Sequence, residues 1–416
     1  MKNKKSTIAI MFCTIGVVFT LSAYAAQSQS VLPTASQEEA MITHWRMPEI
    51  EKRFRDIEEL SEPYLSTSPI DLADGILVSS ATKAGVDDAR LVELAEEIAK
   101  GEHGNYDSML IAKNGALVFE SYYKRGRVDL PHPQSSAVKS YTSLVLGRAI
   151  QLGYLSMSDL DKPVISFLKE MDKHSLVDGA DKITLRHALT MTTGVKISEQ
   201  GFDAIRADLA RIKGQGEIQA ILEDSAPILD ASQVFKYGVG PQFVMQVIDA
   251  VVPGSASAFI DKELFAKLGI TQYDWRTAPS GLPEAGWEVS ITSRDMLKLG
   301  LLIRNQGKWK GEQLIDEAYL KEATTRQLFT GDEEVFGGGD LVSNQGYGFY
   351  FWGTDLSYDG NKHYAFSAQG GGGMYILLVQ DYDLIVVVTA HERDDATQQL
   401  VAERILPLLA APSVSQ

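Results

Sequence analysis

The sequence SSAVKSYTSLVLGRAIQLGYL, at residues 135–155, is the part of the chain from which its architecture can be worked out. Its apolar residues recur in steps of three and four, at Val138, Tyr141, Val145, Ala149 and Leu152. This spacing predicts an amphipathic helix over residues 138–152, and Gly153 is placed to end it. Ser136 stands at the start of this helix and Lys139 follows three residues later, so both side chains are expected on one face within one turn.

Serine and lysine at this spacing can form a nucleophile and its base. A serine hydroxyl is a weak nucleophile until a base removes its proton. A lysine can be that base near neutral pH if burial lowers the pKa of its amine. Ser136 is therefore the candidate nucleophile and Lys139 the candidate proton acceptor.

The S-x-x-K spacing is weak evidence by itself, because a chain of this length contains it by chance. It occurs here at Ser80/Lys83, Ser136/Lys139 and Ser166/Lys169. A loop without apolar periodicity follows Ser80, and Lys169 lies in a charged stretch typical of a solvated face. Only Ser136 opens a largely apolar helix, which favours it as the nucleophile.

Strand patterns lie on both sides of this helix. Upstream, SMLIAKNGALVFESYY (residues 108–123) has two apolar runs around Asn-Gly, which predicts a hairpin. Downstream, AFSAQGGGGMYILLVQ (365–380) and DLIVVVTAHE (383–392) predict further strands, followed by a closing helix over 396–409. The predicted fold is α/β (α+β): an antiparallel sheet formed from both chain ends and flanked by helices, with a mainly helical region inserted.

These patterns also divide the chain. Residues 1–25 are predicted to be a signal peptide and residues 26–80 an N-terminal extension. Residues 81–150 and 340–411 are predicted to form the sheet part of one domain, and residues 151–339 its helical insert.

Several segments, in this order, resemble the β-lactamase-related serine hydrolases. Beyond the stretches quoted above, the resemblance rests on ITLRHALTMTTGV (183–195), FIDKELFAKLGITQYDWR (259–276), ITSRDMLKLGLLIRNQGKWKG (291–311) and YGFYFW (347–352). The family includes class C β-lactamases, D-alanyl-D-alanine carboxypeptidases, esterases and 6-aminohexanoate-dimer hydrolases. The resemblance covers roughly residues 105–405 and is strongest to the esterase and aminohexanoate-hydrolase branch.

The resemblance implies a catalytic tyrosine, which the family usually carries in Tyr-x-Asn or Tyr-x-Ser. The matching position is Tyr237, in Phe235-Lys-Tyr237-Gly-Val239. Tyr237 would share the serine proton with Lys139 and pass it to the leaving group. Val239 departs from the pattern, so the amide or hydroxyl that helps to hold substrate in relatives is missing.

The resemblance also implies a third motif, Lys-Thr-Gly or His-Thr-Gly, on a strand beside the site. Here it matches Ala368-Gln369-Gly370, followed by Gly371. Gln369, Gly370 and Gly371 are the predicted substrate-binding residues, and the amides of Ser136 and Gly371 the predicted oxyanion hole. Ala368 replaces the lysine, so no cation is evident there for a substrate carboxylate, which disfavours a strong β-lactamase or carboxypeptidase.

The N-terminus and the composition indicate export. A basic start, an apolar run over residues 8–21 and the small residues Ala23 and Ala25 predict cleavage after Ala25 and a periplasmic or secreted protein without a stable membrane anchor. Cys13 lies within this segment, so the mature protein would contain no thiol. The formal charge of −16 argues against nucleic acid as a partner. The sequence leaves the oligomeric state open.

Three other functions compete with that of an ester or linear-amide hydrolase that forms an acyl-enzyme on Ser136. A Ser-His-Asp hydrolase would need a Gly-x-Ser-x-Gly elbow, which the chain lacks. A metallohydrolase would need a second histidine four residues after His391. A catalytically retired binding protein is disfavoured because Ser136, Lys139 and Tyr237 are all present. The sequence implies a small-molecule ester or amide substrate, with β-lactamase or D-alanyl-D-alanine carboxypeptidase activity as the alternative, and no metal or cofactor.

Overall fold

Strands from both ends of the chain form one large antiparallel sheet in the computed structural model, which describes residues 31–42, 52–331, 338–391 and 396–409. The strands of the described residues are β1 (Tyr64–Ser66), β2 (Tyr106–Lys113), β3 (Ala116–Tyr122), β4 (His132–Pro133), β5 (Tyr273–Trp275), β6 (Val289–Ile291), β7 (Lys308–Trp309), β8 (Glu312–Gln313), β9 (Leu328–Phe329), β10 (Val342–Tyr347), β11 (Trp352–Tyr358), β12 (Asn361–Gly370), β13 (Met374–Val379) and β14 (Leu384–Ala390).

Most of the helices lie between the two groups of sheet strands in the chain. The α-helices of the described residues are α1 (Gln37–Met41), α2 (Asp88–Ala99), α3 (Val138–Gln151), α4 (Leu185–Leu189), α5 (Glu199–Ala207), α6 (Gly216–Glu223), α7 (Gly240–Val251), α8 (Ala256–Phe259), α9 (Ala266–Leu268), α10 (Ser293–Arg304), α11 (Glu317–Ala323) and α12 (Thr397–Leu400). No single helix of the described residues has the length and hydropathy of a membrane span. Helix α7 and residues Ala256–Leu268 have that length and hydropathy only when they are taken as one segment across an 83° bend.

The sheet order confirms the predicted fold class. Its strands run β1-β3-β2-β14-β13-β12-β11-β10-β9, so the N-terminal hairpin pairs directly with the last strand of the chain. Leu110 of β2 lies opposite Val387 of β14. The hairpin between β2 and β3 turns at Asn114 and Gly115, which both have positive φ, as this tight turn requires. The hairpin prediction is therefore confirmed.

Both faces of the sheet are buried, which explains why β14 is apolar at every position except Thr389. Ile385 and Val387 point into a core that includes α3 and α10. Val386 and Val388 point into a second core, which includes α2 and the C-terminal helical residues. Neighbouring side chains on a strand point to opposite faces, so a strand covered on both sides needs apolar residues throughout. Helix α3, predicted over residues 138–152, is confirmed as a buried helix of the first core.

The N-terminal extension contributes to this sheet. Tyr64 of β1 pairs with Tyr122 of β3 at the sheet edge. A strand of three residues is too short to show a period-two pattern, so the sequence did not reveal it. Ile42, Phe54 and Ile57 form a small separate core with Leu130. Residues 32–416 belong to one unit, and the predicted signal peptide at residues 1–25 lies outside the described residues.

Candidate active site

Ser136 and Lys139 meet where β12 ends against the start of α3. Ser136 lies in the single 3-10 turn Ser135–Ala137, which leads directly into α3. Lys139, in the first turn of α3, places its Nζ 3.1 Å from Ser136 Oγ. The helix N-terminus also favours negative charge at this point, which suits a serine that becomes an alkoxide.

The other two S-x-x-K sites lack this contact. Ser80 Oγ accepts a hydrogen bond from the backbone amide of Lys83, not from its amine. Ser166 Oγ donates to the carbonyl of Pro163 at the surface. Neither serine therefore has the base that a nucleophile needs.

The turn before the nucleophile is fixed by strained backbone and by buried hydrogen bonds. Ser135 has φ +51°, a left-handed conformation that non-glycine residues adopt at a cost of about 1 kcal/mol or more. The backbone N–H of Gln134 donates to the carbonyl of Val289 at 2.8 Å. Its side-chain Oε1 accepts a hydrogen bond from Tyr141 Oη at 2.6 Å. These bonds hold the turn in place, so Ser136 is presented in one orientation.

Burial prepares Lys139 to accept a proton. Its side chain is almost fully buried, and desolvation lowers the pKa of its amine to about 8, although the Glu284 carboxylate opposes the shift. Burial also raises the pKa of Glu284, so both groups are displaced toward their neutral forms. Lys139 Nζ donates a 2.9 Å hydrogen bond to the carbonyl of Gly286. In the neutral amine this bond leaves the lone pair free for Ser136.

Tyr237 lies close to the same amine. Lys139 Nζ is 4.9 Å from the centroid of its ring, which stacks on Trp352 with centroids 5.8 Å apart. Burial raises the pKa of the Tyr237 phenol to about 12. Hydrogen bonds with the side chains of Ser136 and Tyr347 act in the opposite direction, but their effect on the pKa is smaller. The phenol is therefore protonated near neutral pH, where it can donate a proton but cannot be the resting base.

The glycines at the end of β12 face the nucleophile turn. A Cβ on Gly370 would lie 2.2 Å from the carbonyl oxygen of Gln134 and 3.2 Å from the amide nitrogen of Ala137. A Cβ on Gly371 would lie 3.8 Å from Ser135 Oγ. The structure thus brings both predicted glycines to the turn that carries Ser136, where backbone amides can approach a substrate oxygen.

Gln369 and Ala368 are not brought to Ser136 by their side chains. Gln369 lies on the face of β12 opposite to Gly370, is buried, and donates to Ser367 Oγ at 2.8 Å. Alternation along the strand therefore directs its side chain away from α3, so only its backbone is near the turn. Ala368 is buried in the core that contains α3.

We expect Gly370→Ala to destabilise the protein and to lower its activity, because the added methyl group must displace the nucleophile turn. Overpacking of this kind costs about 1–3 kcal/mol of unfolding free energy. Thermal melting and hydrolysis rates measure the two effects. Gly371→Ala is the matched control for the melting temperature, since its Cβ meets only ordinary contacts. Equal melting temperatures for both variants would contradict the close approach.

The sequence did not reveal the loop that holds Lys139. Thr142 Oγ1 donates to the carbonyl of Ala285, and Trp275 Nε1 donates to that of Glu284, both at 2.8 Å. These bonds fix the loop so that the next carbonyl, that of Gly286, meets the amine. A backbone carbonyl has no side-chain signature, so no residue pattern could have identified this contact.

Two histidines lie near the nucleophile turn without forming a Ser-His-Asp triad. The buried Asp107 carboxylate binds His132 Nε2 at 3.1 Å and His391 Nδ1 at 2.9 Å. His132 Nδ1 faces the carbonyl of Pro133, and His391 Nε2 faces Arg125. Both rings thus bind groups other than a serine hydroxyl.

A cavity of about 1000 Å³ opens beside Lys139 and Tyr237. Helix α5 and residues 193–197 and 229–239 form most of its wall. Ile197, Phe202 and Val234 give it an apolar surface. The cavity has room for a substrate much larger than the bond that is cleaved.

Solved structures share this fold at low identity. The chain is similar to a protein assigned as a 6-aminohexanoate-dimer hydrolase from Bacillus anthracis (18% identity, TM-score 0.54, 75% of this chain and 79% of that one). It is also similar to a class C β-lactamase (16%, 0.56, 78% and 97%) and to EstCE1, a hydrolase with promiscuous acyltransferase activity (17%, 0.56, 75% and 97%). No curated protein sequence matches it significantly.

A match to a protein-family model assigns the chain to a family. The model described as Beta-lactamase matches residues 96–410, about three quarters of the chain. The matched segment contains Ser136, Lys139, Tyr237 and the glycines at the end of β12. The chain therefore belongs to the Beta-lactamase family of serine hydrolases.

Proposed function

We propose that this protein hydrolyses esters or linear amides through an acyl-enzyme on Ser136. The observation that carries the proposal is the 3.1 Å contact between Ser136 Oγ and the buried amine of Lys139, whose pKa is about 8. At neutral pH roughly one amine in ten is then unprotonated, which is enough for a general base. An exposed lysine would be charged almost completely.

The first step is acylation. Ser136 Oγ attacks the substrate carbonyl carbon while its proton passes to Lys139 Nζ, and the carbonyl oxygen takes up the electron pair. The amides of Ser136 and Gly371 are placed to stabilise this oxyanion. Collapse of the intermediate expels the alcohol or amine, which receives its proton from Tyr237, and Lys139 returns the proton to the phenol.

The second step is deacylation. Water attacks the acyl carbon and transfers a proton to the neutral amine, and Ser136 leaves with a proton. Lys139 thus accepts a proton in both acylation and deacylation, and side chains of this chain carry out the proton transfers. We place this reaction in the periplasm or outside the cell, on the basis of the signal sequence at residues 1–25.

The experiment that tests this proposal is direct detection of the acyl-enzyme. Mixing the protein with p-nitrophenyl butyrate and quenching in acid should leave a butyryl group on the peptide that contains Ser136. Release of p-nitrophenol without any acylated peptide would contradict a covalent intermediate.

Two positions favour esters and linear amides over β-lactams. Ala368 is buried in the core where relatives of the β-lactamase type carry a lysine, and Val239 stands where they carry an amide or hydroxyl. A carboxylate without its cation loses a charge-assisted hydrogen bond, worth about 1.5–3 kcal/mol. The names of the hydrolases with the same fold also include an amide hydrolase and an acyltransferring enzyme.

We therefore expect nitrocefin to be hydrolysed with a kcat/KM about ten- to a hundredfold below that for p-nitrophenyl butyrate. The comparison uses one enzyme preparation at one pH, with Ser136→Ala as the blank for both substrates. Nitrocefin turnover as efficient as ester turnover would move the substrate class back toward β-lactams.

A further inference from the structure

A second cavity reaches the nucleophile turn and is not lined by Lys139 or Tyr237. It has a volume of about 310 Å³ and is lined by Ser135 and by Gly371 and Gly372 at the end of β12. Lys139 and Tyr237 line the larger cavity instead. The smaller cavity thus borders Gly371, whose amide is one of the two predicted oxyanion-hole donors.

The charge of this small cavity is unlike that of the protein. Arg53, Arg55, His132 and His391 line it, and none of the described residues in its wall is acidic. The whole chain carries a formal charge of −16. The Asp107 carboxylate lies behind the two histidines and binds both rings, and among the described residues Arg53 and Arg55 have no ion-pair partner.

Neighbouring residues fix the backbone of Arg53 beside the cavity, while its guanidinium stays accessible to a ligand. Phe54 is buried against the ring of His132, with centroids 4.4 Å apart. The Asp56 carboxylate accepts a 2.7 Å hydrogen bond from the backbone amide of Arg53. The Arg53 guanidinium is exposed and forms no ion pair with a described residue. The cavity thus contains an exposed guanidinium without an ion-pair partner in the part of the chain that the structure describes.

We propose that this cavity binds the carboxylate of an anionic ester or linear amide substrate, with Arg53 as the cation that contacts it. The proposal rests on the hydrolase function above. Arg53 precedes residues 96–410, so the N-terminal extension supplies the cation of this cavity, while the position of Ala368, which does not line the cavity, keeps none. A guanidinium offers two parallel N–H donors that match a carboxylate.

Four esters test this assignment. Mono-p-nitrophenyl adipate carries the carboxylate on the acyl side, with p-nitrophenyl hexanoate as its uncharged counterpart. 4-Carboxyphenyl butyrate carries it on the leaving-group side, with phenyl butyrate as its counterpart. The two pairs show on which side of the scissile bond the cavity lies.

We expect Arg53→Gln to lower kcat/KM about tenfold for at least one anionic ester and to leave both neutral esters unchanged. Arg53→Lys should retain part of the preference, and added salt should weaken it in the wild type, because the contact is partly exposed. The comparison variant is Arg206→Gln, which removes an exposed arginine from the larger cavity and so tests whether the anion binds there instead.

An equal loss for all four esters, or no loss for any, would overturn the assignment to Arg53. A selective loss in Arg206→Gln instead would place the anion in the larger cavity and overturn it as well. Failure of the proposed function is distinguishable, because the wild type would then leave the neutral esters intact and Ser136 unacylated.

Discussion

Replacing Ser136 by alanine is expected to abolish hydrolysis of every ester substrate, with a loss of roughly three orders of magnitude or more in kcat. The reason is that Ser136 carries the hydroxyl that contacts the amine, and the next serine of α3 is bound elsewhere. Ser140, in the next turn of α3, donates to the carbonyl of Tyr350 at 2.5 Å and is buried. The measurement is the rate of p-nitrophenol release, together with the mass of the peptide labelled by a fluorophosphonate.

The matched controls are Ser80→Ala and Ser166→Ala, which remove the serines of the other two S-x-x-K sites. Both variants should keep full activity and should still be labelled on the peptide that contains Ser136. A label on Ser80 or Ser166 in the wild type would show that the nucleophile has been misassigned.

Replacing Lys139 by arginine should be nearly as damaging as replacing it by alanine. Arginine keeps the positive charge, but its guanidinium does not release a proton in the accessible pH range, so the general base is lost. In the wild type, kcat/KM should rise about tenfold per pH unit below pH 8 and level off above it, because the neutral amine is the active form and burial lowers the pKa of Lys139 to about 8.

The pH profile separates this role from a purely electrostatic one. If Lys139 acted only through its charge, activity would fall as the pH rises through 8, and the arginine variant would keep most of its rate. Lys83→Arg is the matched control, because Lys83 is exposed in a surface turn and no proton transfer depends on it.

The parts of the site that were predicted from sequence are those with a local pattern. Helix α3 could be predicted because its apolar spacing is periodic, and Ser136 and Lys139 could be placed on it because one turn fixes their separation. Gly286 could not be predicted, because it lies 147 residues from Lys139 and acts through a carbonyl that every residue has. The burial that sets the pKa of Lys139 likewise depends on packing from distant elements.

Gln369 shows a second limit. The glycine run marked the right segment of chain, and Gly370 and Gly371 do face the nucleophile turn. Which side chains of β12 face α3 depends on the pairing of β12 with its neighbours, and a glycine-rich segment contains too little alternation to reveal it. The sequence therefore located the strand end but not the orientation of Gln369.

The pairing of β2 with β14 constrains the order in which the molecule can fold. During synthesis, β2 emerges more than two hundred residues before its partner, since Leu110 pairs with Val387. Until β14 arrives, the hairpin presents an open strand edge to other chains, and contacts of such long range form slowly. The end of β12 also has to dock on the turn at Ser135 before the nucleophile is fixed. Pairing of the C-terminal strands is thus the last step in forming the active site. A nascent or truncated chain contains Ser136 and Lys139, but its active site is incomplete.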